Sequence, residues 1–113
     1  MESQATARYI RSTPRKARLV SDAIRGKMVA EALNLLNLSI RRGVAADVAK
    51  MLKSAVANLQ SKNPEANVNV DELRIKEVRV EQGPTLKRMR ARAQGRAARI
   101  LKHMCHITVT VSD

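Results

Sequence analysis

Phenylalanine and tryptophan are absent from the sequence, and Tyr9 is its single aromatic residue. Proteins that read splayed bases mainly by stacking use several aromatic rings, so backbone and shape contacts are the expected mode of any nucleic-acid recognition. The lone cysteine, Cys105, excludes an internal disulfide framework and agrees with a reducing compartment. No window approaches the roughly 18 to 20 consecutive apolar residues of a membrane span. The opening residues MESQATARYIRSTPRK also lack the apolar core of a signal peptide. A cytoplasmic protein is expected. The ten carboxylates are scattered, and neither GxxxxGK[ST] nor GxGxxG occurs, so no nucleotide loop or catalytic triad is legible and no enzyme is expected. Most telling is a local absence: residues 83–103, GPTLKRMRARAQGRAARILKH, contain no Asp or Glu.

What is present is positive charge. Twenty-two Lys and Arg against ten Asp and Glu give a formal charge of +12 on 113 residues, a surface that seeks polyanions. The length suits one domain, 1–113, divided here into a body (1–81 and 104–113) and an extended hairpin over about 82–103.

Strand and helix signals alternate along the body. QATARYIRS reads as a short strand, and TPRKARLVSDAIRGK as a helix with Thr13 at the N-cap, Pro14 at the first position and Gly26 at the stop. VAEALNLLNLS is a second helical piece, with Ala32, Leu33 and Leu36 on one face. From Ile40 to about Lys62, Val44, Val48, Leu52, Ala55 and Leu59 form one apolar stripe, the strongest helix signal, which SKNPEAN ends. In DELRIKEVRVEQGP, Leu73 and Ile75 fall in one phase and Val78 and Val80 in the other, and a β-bulge near Lys76 and Glu77 would restore a single buried face. CHITVTVSD alternates cleanly, with Cys105, Ile107, Val109 and Val111 on the inner side. The fold class expected is α+β, with antiparallel strands joined around the basic run by a hairpin. Arms of about ten residues would project roughly 30 Å. Such an arm is marginal in water on its own and calls for a negative partner.

Candidate RNA-binding residues follow from these placements. On the arm, Lys87, Arg88, Arg90, Arg92, Arg96, Arg99 and Lys102 would neutralise phosphates, while Gly95, Ala91, Ala93, Ala97 and Ala98 let backbone approach closely. At the first helix, Arg15, Lys16, Arg18, Arg25 and Lys27, with Arg8 and Arg11 on the strand before it, form a second basic group, and residues 13–15 could offer free N–H groups to a phosphate. His106 is placed as a polar donor on the outer face of the last strand, beside the basic arm. His103, Cys105 and His106 together invite a zinc reading, but alternation separates them and no fourth ligand exists, so neither metal nor cofactor is expected. A duplex-binding protein would use the same charge, yet neither a recognition helix nor apolar wedges are legible. No membrane partner and no homo-oligomer are expected.

Four segments carry a resemblance. TPRKARLVSDAIRGK at 13–27, LKSAVANLQ at 52–60, EQGPTLKRMRARAQGRAARILKH at 81–103 and HITVTVSD at 106–113 resemble the bacterial large-subunit ribosomal protein L-twenty-two family. The resemblance implies three helices on a three-stranded antiparallel sheet with a long protruding basic β-hairpin, a body near the peptide exit, and a hairpin threaded through large-subunit (23S) RNA. It implies a structural constituent that bridges rRNA segments in assembly and lines the nascent-peptide tunnel beside ribosomal protein L-four. By position the tip corresponds to Met89, Arg90, Ala91, Arg92, Ala93, Gln94, Gly95, Arg96 and Ala97, facing nascent polypeptide, and residues 86–92 match the segment through which the family influences macrolide binding. Many relatives carry a proline where this chain has Ala91 and a basic residue where it has Gln94.

Overall fold

The computed structural model describes residues 2–64 and 69–113. It is α+β, with three helices and five strands in antiparallel sheets. In chain order the elements are β1 (Glu2–Ile10), α1 (Pro14–Ile24), α2 (Val29–Asn37), α3 (Arg42–Lys62), β2 (Arg74–Gln82), β3 (Leu86–Ala91), β4 (Ala97–Lys102) and β5 (Cys105–Ser112). β5 is the centre of a three-stranded sheet in the order β1-β5-β2, and β3 and β4 pair only with each other.

Local chemistry accounts for the helix ends. The hydroxyl of Thr13 accepts from the backbone N–H of Lys16, Pro14 fills the first position, and Gly26 follows the C-cap at φ +79, a conformation that favours glycine. Two bonds then pin the turn between α1 and α2 to the sheet: Ile75 N–H donates to the Lys27 carbonyl, and Val29 N–H to the Leu73 carbonyl. α3 is the longest element at 21 residues, and Val48, Leu52, Ala55 and Leu59 are buried along it against β1 and β5. Ile40, expected within α3, lies outside the helix, which starts at Arg42, and is 99% exposed. The expected stop signal SKNPEAN falls partly outside the described residues.

The bulge expected in β2 is present. Ile75 pairs with Val111 and Glu77 with Thr110, so Lys76 is the inserted residue, and Ile75, Val78 and Val80 all reach the core. On β5, Cys105, Ile107, Val109 and Val111 are buried as alternation requires, and Thr108 on the other side is also nearly covered, by a hydroxyl contact with Thr6 of 3.1 Å.

A second bulge is not foreseen by the sequence reading. β1 pairs Ala7 with Ile107 but Ile10 with Cys105, one residue out of step, and Tyr9 within that slip has φ +59. A non-glycine residue held there costs on the order of 1–3 kcal/mol and needs surrounding structure to keep it in place. The strand itself ends at Ile10, so the expected extension through Ser12 is absent.

Candidate nucleic-acid interface

The register of β3 and β4 fixes how the hairpin displays its charge. Leu86 faces Lys102, Lys87 faces Leu101, Arg88 faces Ile100, Met89 faces Arg99, Arg90 faces Ala98 and Ala91 faces Ala97. Opposed residues share a face, so one face carries Arg88, Arg90 and Lys102 and the other Lys87 and Arg99. Both faces are therefore cationic. Each of these cations sits directly across from an apolar residue, which avoids the destabilising like-charge opposition while keeping the charge density high.

None of the hairpin residues is buried. The paired arms are six residues each, shorter than the ten expected, because the chain leaves the central sheet through residues 83–85 before pairing resumes. At the tip, the Arg92 N–H donates to the Arg96 carbonyl at 2.7 Å, and the turn between them passes through left-handed backbone at Gln94 (φ +62) and Gly95 (φ +70). Arg92 and Arg96 are thereby set side by side at the end of the arm. Among the described residues, the ion pairs join Asp22 to Arg25, Glu2 to Lys76, and Arg79 to Glu77 and Glu81. All lie in the body, and no hairpin cation has an acidic partner among them.

The base of the hairpin is tied to the body by a compact set of polar contacts. Gly83 N–H donates to the Met104 carbonyl at 2.9 Å, Arg11 Nη1 donates to the His103 carbonyl at 3.0 Å, and Thr85 Oγ1 lies 3.3 Å from His103 Nδ1. Arg11 and Thr13, from the link between β1 and α1, and Lys16 of α1 meet Lys102 and His103 around one cleft, so the two basic segments of the sequence converge there. His106, on the outer side of β5, makes a contact that was not expected. Its Nδ1 accepts from the Tyr9 N–H at 3.1 Å and its ring packs close to Gly83, so it is also an acceptor within the fold, with the proton of the neutral ring left on Nε2.

Two of the candidate arginines hold α1 to β2. Arg18 Nη2 donates to the Val80 carbonyl at 3.2 Å, and Arg25 Nη2 to the Val78 carbonyl at 2.9 Å. Arg8, Arg15 and Lys16 remain exposed, and Lys27 is half-buried. The Cys105 thiol is pushed above its ordinary pKa by burial, with the Asp47 carboxylate adding to the shift, which suits a core residue. Among the described residues no cluster of three or more His, Cys, Asp or Glu could hold a metal, and no helix is long and apolar enough to cross a membrane.

An α+β body with mixed-sign surface charge, bearing an all-cationic hairpin, defines the class: a small basic protein built to be part of a larger assembly. The family model described as ribosomal protein L22p/L17e matches residues 5–112. The large ribosomal subunit protein uL22 of Syntrophus aciditrophicus (strain SB) is 54% identical over 115 residues, covering 100% of this chain and 99% of that protein. The protein of the same name from Desulfatibacillum aliphaticivorans is 51% identical over 113 residues, covering 100% of both. The chain belongs to the ribosomal protein L22p/L17e family. It is accordingly a structural, non-enzymatic protein of the large ribosomal subunit, acting in translation in the cytoplasm.

Proposed function

We propose that the chain binds large-subunit rRNA through phosphate neutralisation by its protruding hairpin and by the start of α1, bridges distant rRNA segments during assembly, and lines the nascent-peptide tunnel with its tip. One observation carries the reading: both faces and the tip of the hairpin are cationic, with no acid between residues 83 and 103 and no buried side chain to hold the arm. An arm with phosphates on one side only would need charge on one face. Lys87 and Arg99 would meet RNA on one side while Arg88, Arg90 and Lys102 meet it on the other. Met89 to Ala97 would supply the tunnel surface, next to ribosomal protein L-four and passing nascent polypeptide, and an effect on macrolide binding would be indirect, through the position of residues 86–92. Arg11, Lys16 and Lys102 around the basal cleft would continue the phosphate track onto the body.

Sedimentation of lysate on gradients of rising salt tests this reading. The chain should travel with the large subunit at near-stoichiometric levels through high salt, although a free protein making eight to twelve phosphate contacts would lose several orders of magnitude in affinity over the same range. Release at modest salt, or migration with DNA, would reduce it to a generic basic nucleic-acid binder. A photo-crosslinking residue at Ala93 would then report on the tunnel part separately, by its capture of nascent chains.

A further inference from the structure

The bulge in β1 brings Ile10 against the core after Ala5, and in doing so it turns Tyr9, the only tyrosine of the protein, outward in a fixed orientation. Tyr9 is 60% exposed. Its backbone sits at φ +59, its N–H is held by His106 Nδ1, and its ring meets the His106 ring edge to face, with centroids 5.2 Å apart and planes at 87°. An edge-to-face contact uses at most one face of the tyrosine ring, whichever ring supplies the edge. At least one face of Tyr9 is thus left free of His106. A strained residue whose ring is positioned but not buried gains little from the hydrophobic effect, and strain of this kind gathers at binding sites. Bulges likewise serve to re-aim a side chain next to functional surfaces.

We infer that Tyr9 is a stacking platform for one unpaired RNA base at the junction of body and hairpin. The inference rests on the rRNA-binding reading above and names a contact of a different chemistry. Arg8 and Arg11 flank the ring in sequence and are exposed, and Arg11 is anchored at the hairpin base through the His103 carbonyl. Glu81, which pairs with His106 across the sheet, is engaged by Arg79. A ligand that offers a flat π face beside phosphates fits this arrangement, and an unpaired nucleotide is that ligand. Arg8 and the donors of Arg11 not used by His103 would hold phosphate, while the ring takes the base.

The sequence makes the test direct, because with one tyrosine and no tryptophan the intrinsic fluorescence of the full chain reports on Tyr9 alone. Purified large-subunit rRNA should quench that emission after correction for absorbance, whereas inorganic polyphosphate should bind without comparable quenching. Tyr9→Leu should weaken rRNA binding roughly 5- to 150-fold, the range for loss of one stacked base, and Tyr9→Phe should keep wild-type affinity. Equal quenching by polyphosphate, undiminished binding by Tyr9→Leu, or a Tyr9→Phe loss as large as that of Tyr9→Leu would each overturn the stacking site. Circular dichroism checks that Tyr9→Leu is folded; if it is not, the wild-type quenching comparison still decides. Failure of the wild-type chain to bind rRNA at all would instead overturn the underlying function.

Discussion

The body and the hairpin are made from the same backbone pairing but are stabilised in opposite ways. In the body, β5 lies between two strands and beneath α3, and its apolar residues Ile107, Val109 and Val111 are fully buried. In the hairpin, the equivalent apolar positions, Met89 and Leu101, are largely exposed, and the two strands have no third. Body cations such as Arg25 and Lys76 have carboxylate partners, whereas the hairpin cations have none among the described residues. A two-stranded ribbon without a packed face is marginal in water, so the body folds by burial, and on the reading proposed above the hairpin gains its stability from rRNA phosphates. The difference teaches that one chain can hold a self-sufficient fold beside a segment that lacks the burial and ion pairing to stabilise itself.

The largest effect that separates the two should come from truncating apolar side chains. Leu52→Ala, in the fully buried middle of α3, should cost about 2–5 kcal/mol in denaturant unfolding, while Leu101→Ala should leave the unfolding midpoint nearly unchanged. Charge removal should reverse that ranking. Arg88→Ala with Arg99→Ala, one from each face, should leave thermal stability intact but flatten the salt dependence of rRNA binding, by close to one unit of log–log slope for each phosphate deprived of its cation. A flatter slope from only one of the two positions would mean that RNA lies on one side alone.

The joint between the two regions can be strained by a single methyl group. A Cβ on Gly83 would lie 3.2 Å from the Met104 carbonyl oxygen and 3.3 Å from the His106 ring. Gly83→Ala should therefore destabilise the joint by about 1–3 kcal/mol, the usual range for overpacking, seen as a lower thermal midpoint. The smallest effect concerns Cys105. Its raised folded-state pKa means that the thiol stays protonated in the fold while the unfolded chain ionises. Its contribution to stability is complete below the unfolded thiol pKa of about 8.5 and is lost as pH rises from there through the folded value. Denaturant titrations should show that alkaline decline, and a Cys105→Ala variant should not.

Much of the body is legible in the sequence because its signals are local. Thr13, Pro14 and Gly26 mark a helix without reference to anything else, and the phase change between Ile75 and Val78 requires an inserted residue that the structure supplies at Lys76. The same logic applied to Ala5, Ala7 and Ile10 exposes the bulge in β1, but three small or weak signals beside arginines are easy to miss. Arg18 and Arg25 illustrate the opposite limit. Their charge suggests a ligand, and only the approach of β2 in three dimensions shows that a backbone carbonyl takes one donor of each guanidinium group. The acceptor role of His106 escapes the sequence for a similar reason, since its partner Tyr9 is 97 residues away. The hairpin itself follows from charge and bracketing strands, but its register, and hence the two cationic faces, cannot be read from composition.

Hydrogen–deuterium exchange on the full chain, free and in the assembled large subunit, tests the contrast most directly. In the free protein, backbone amides of β1, β2 and β5 should exchange slowly while those of β3 and β4 exchange near the rate of an unstructured chain, and assembly should protect the hairpin. Hairpin amides as protected as those of β5 in the free protein would contradict the account.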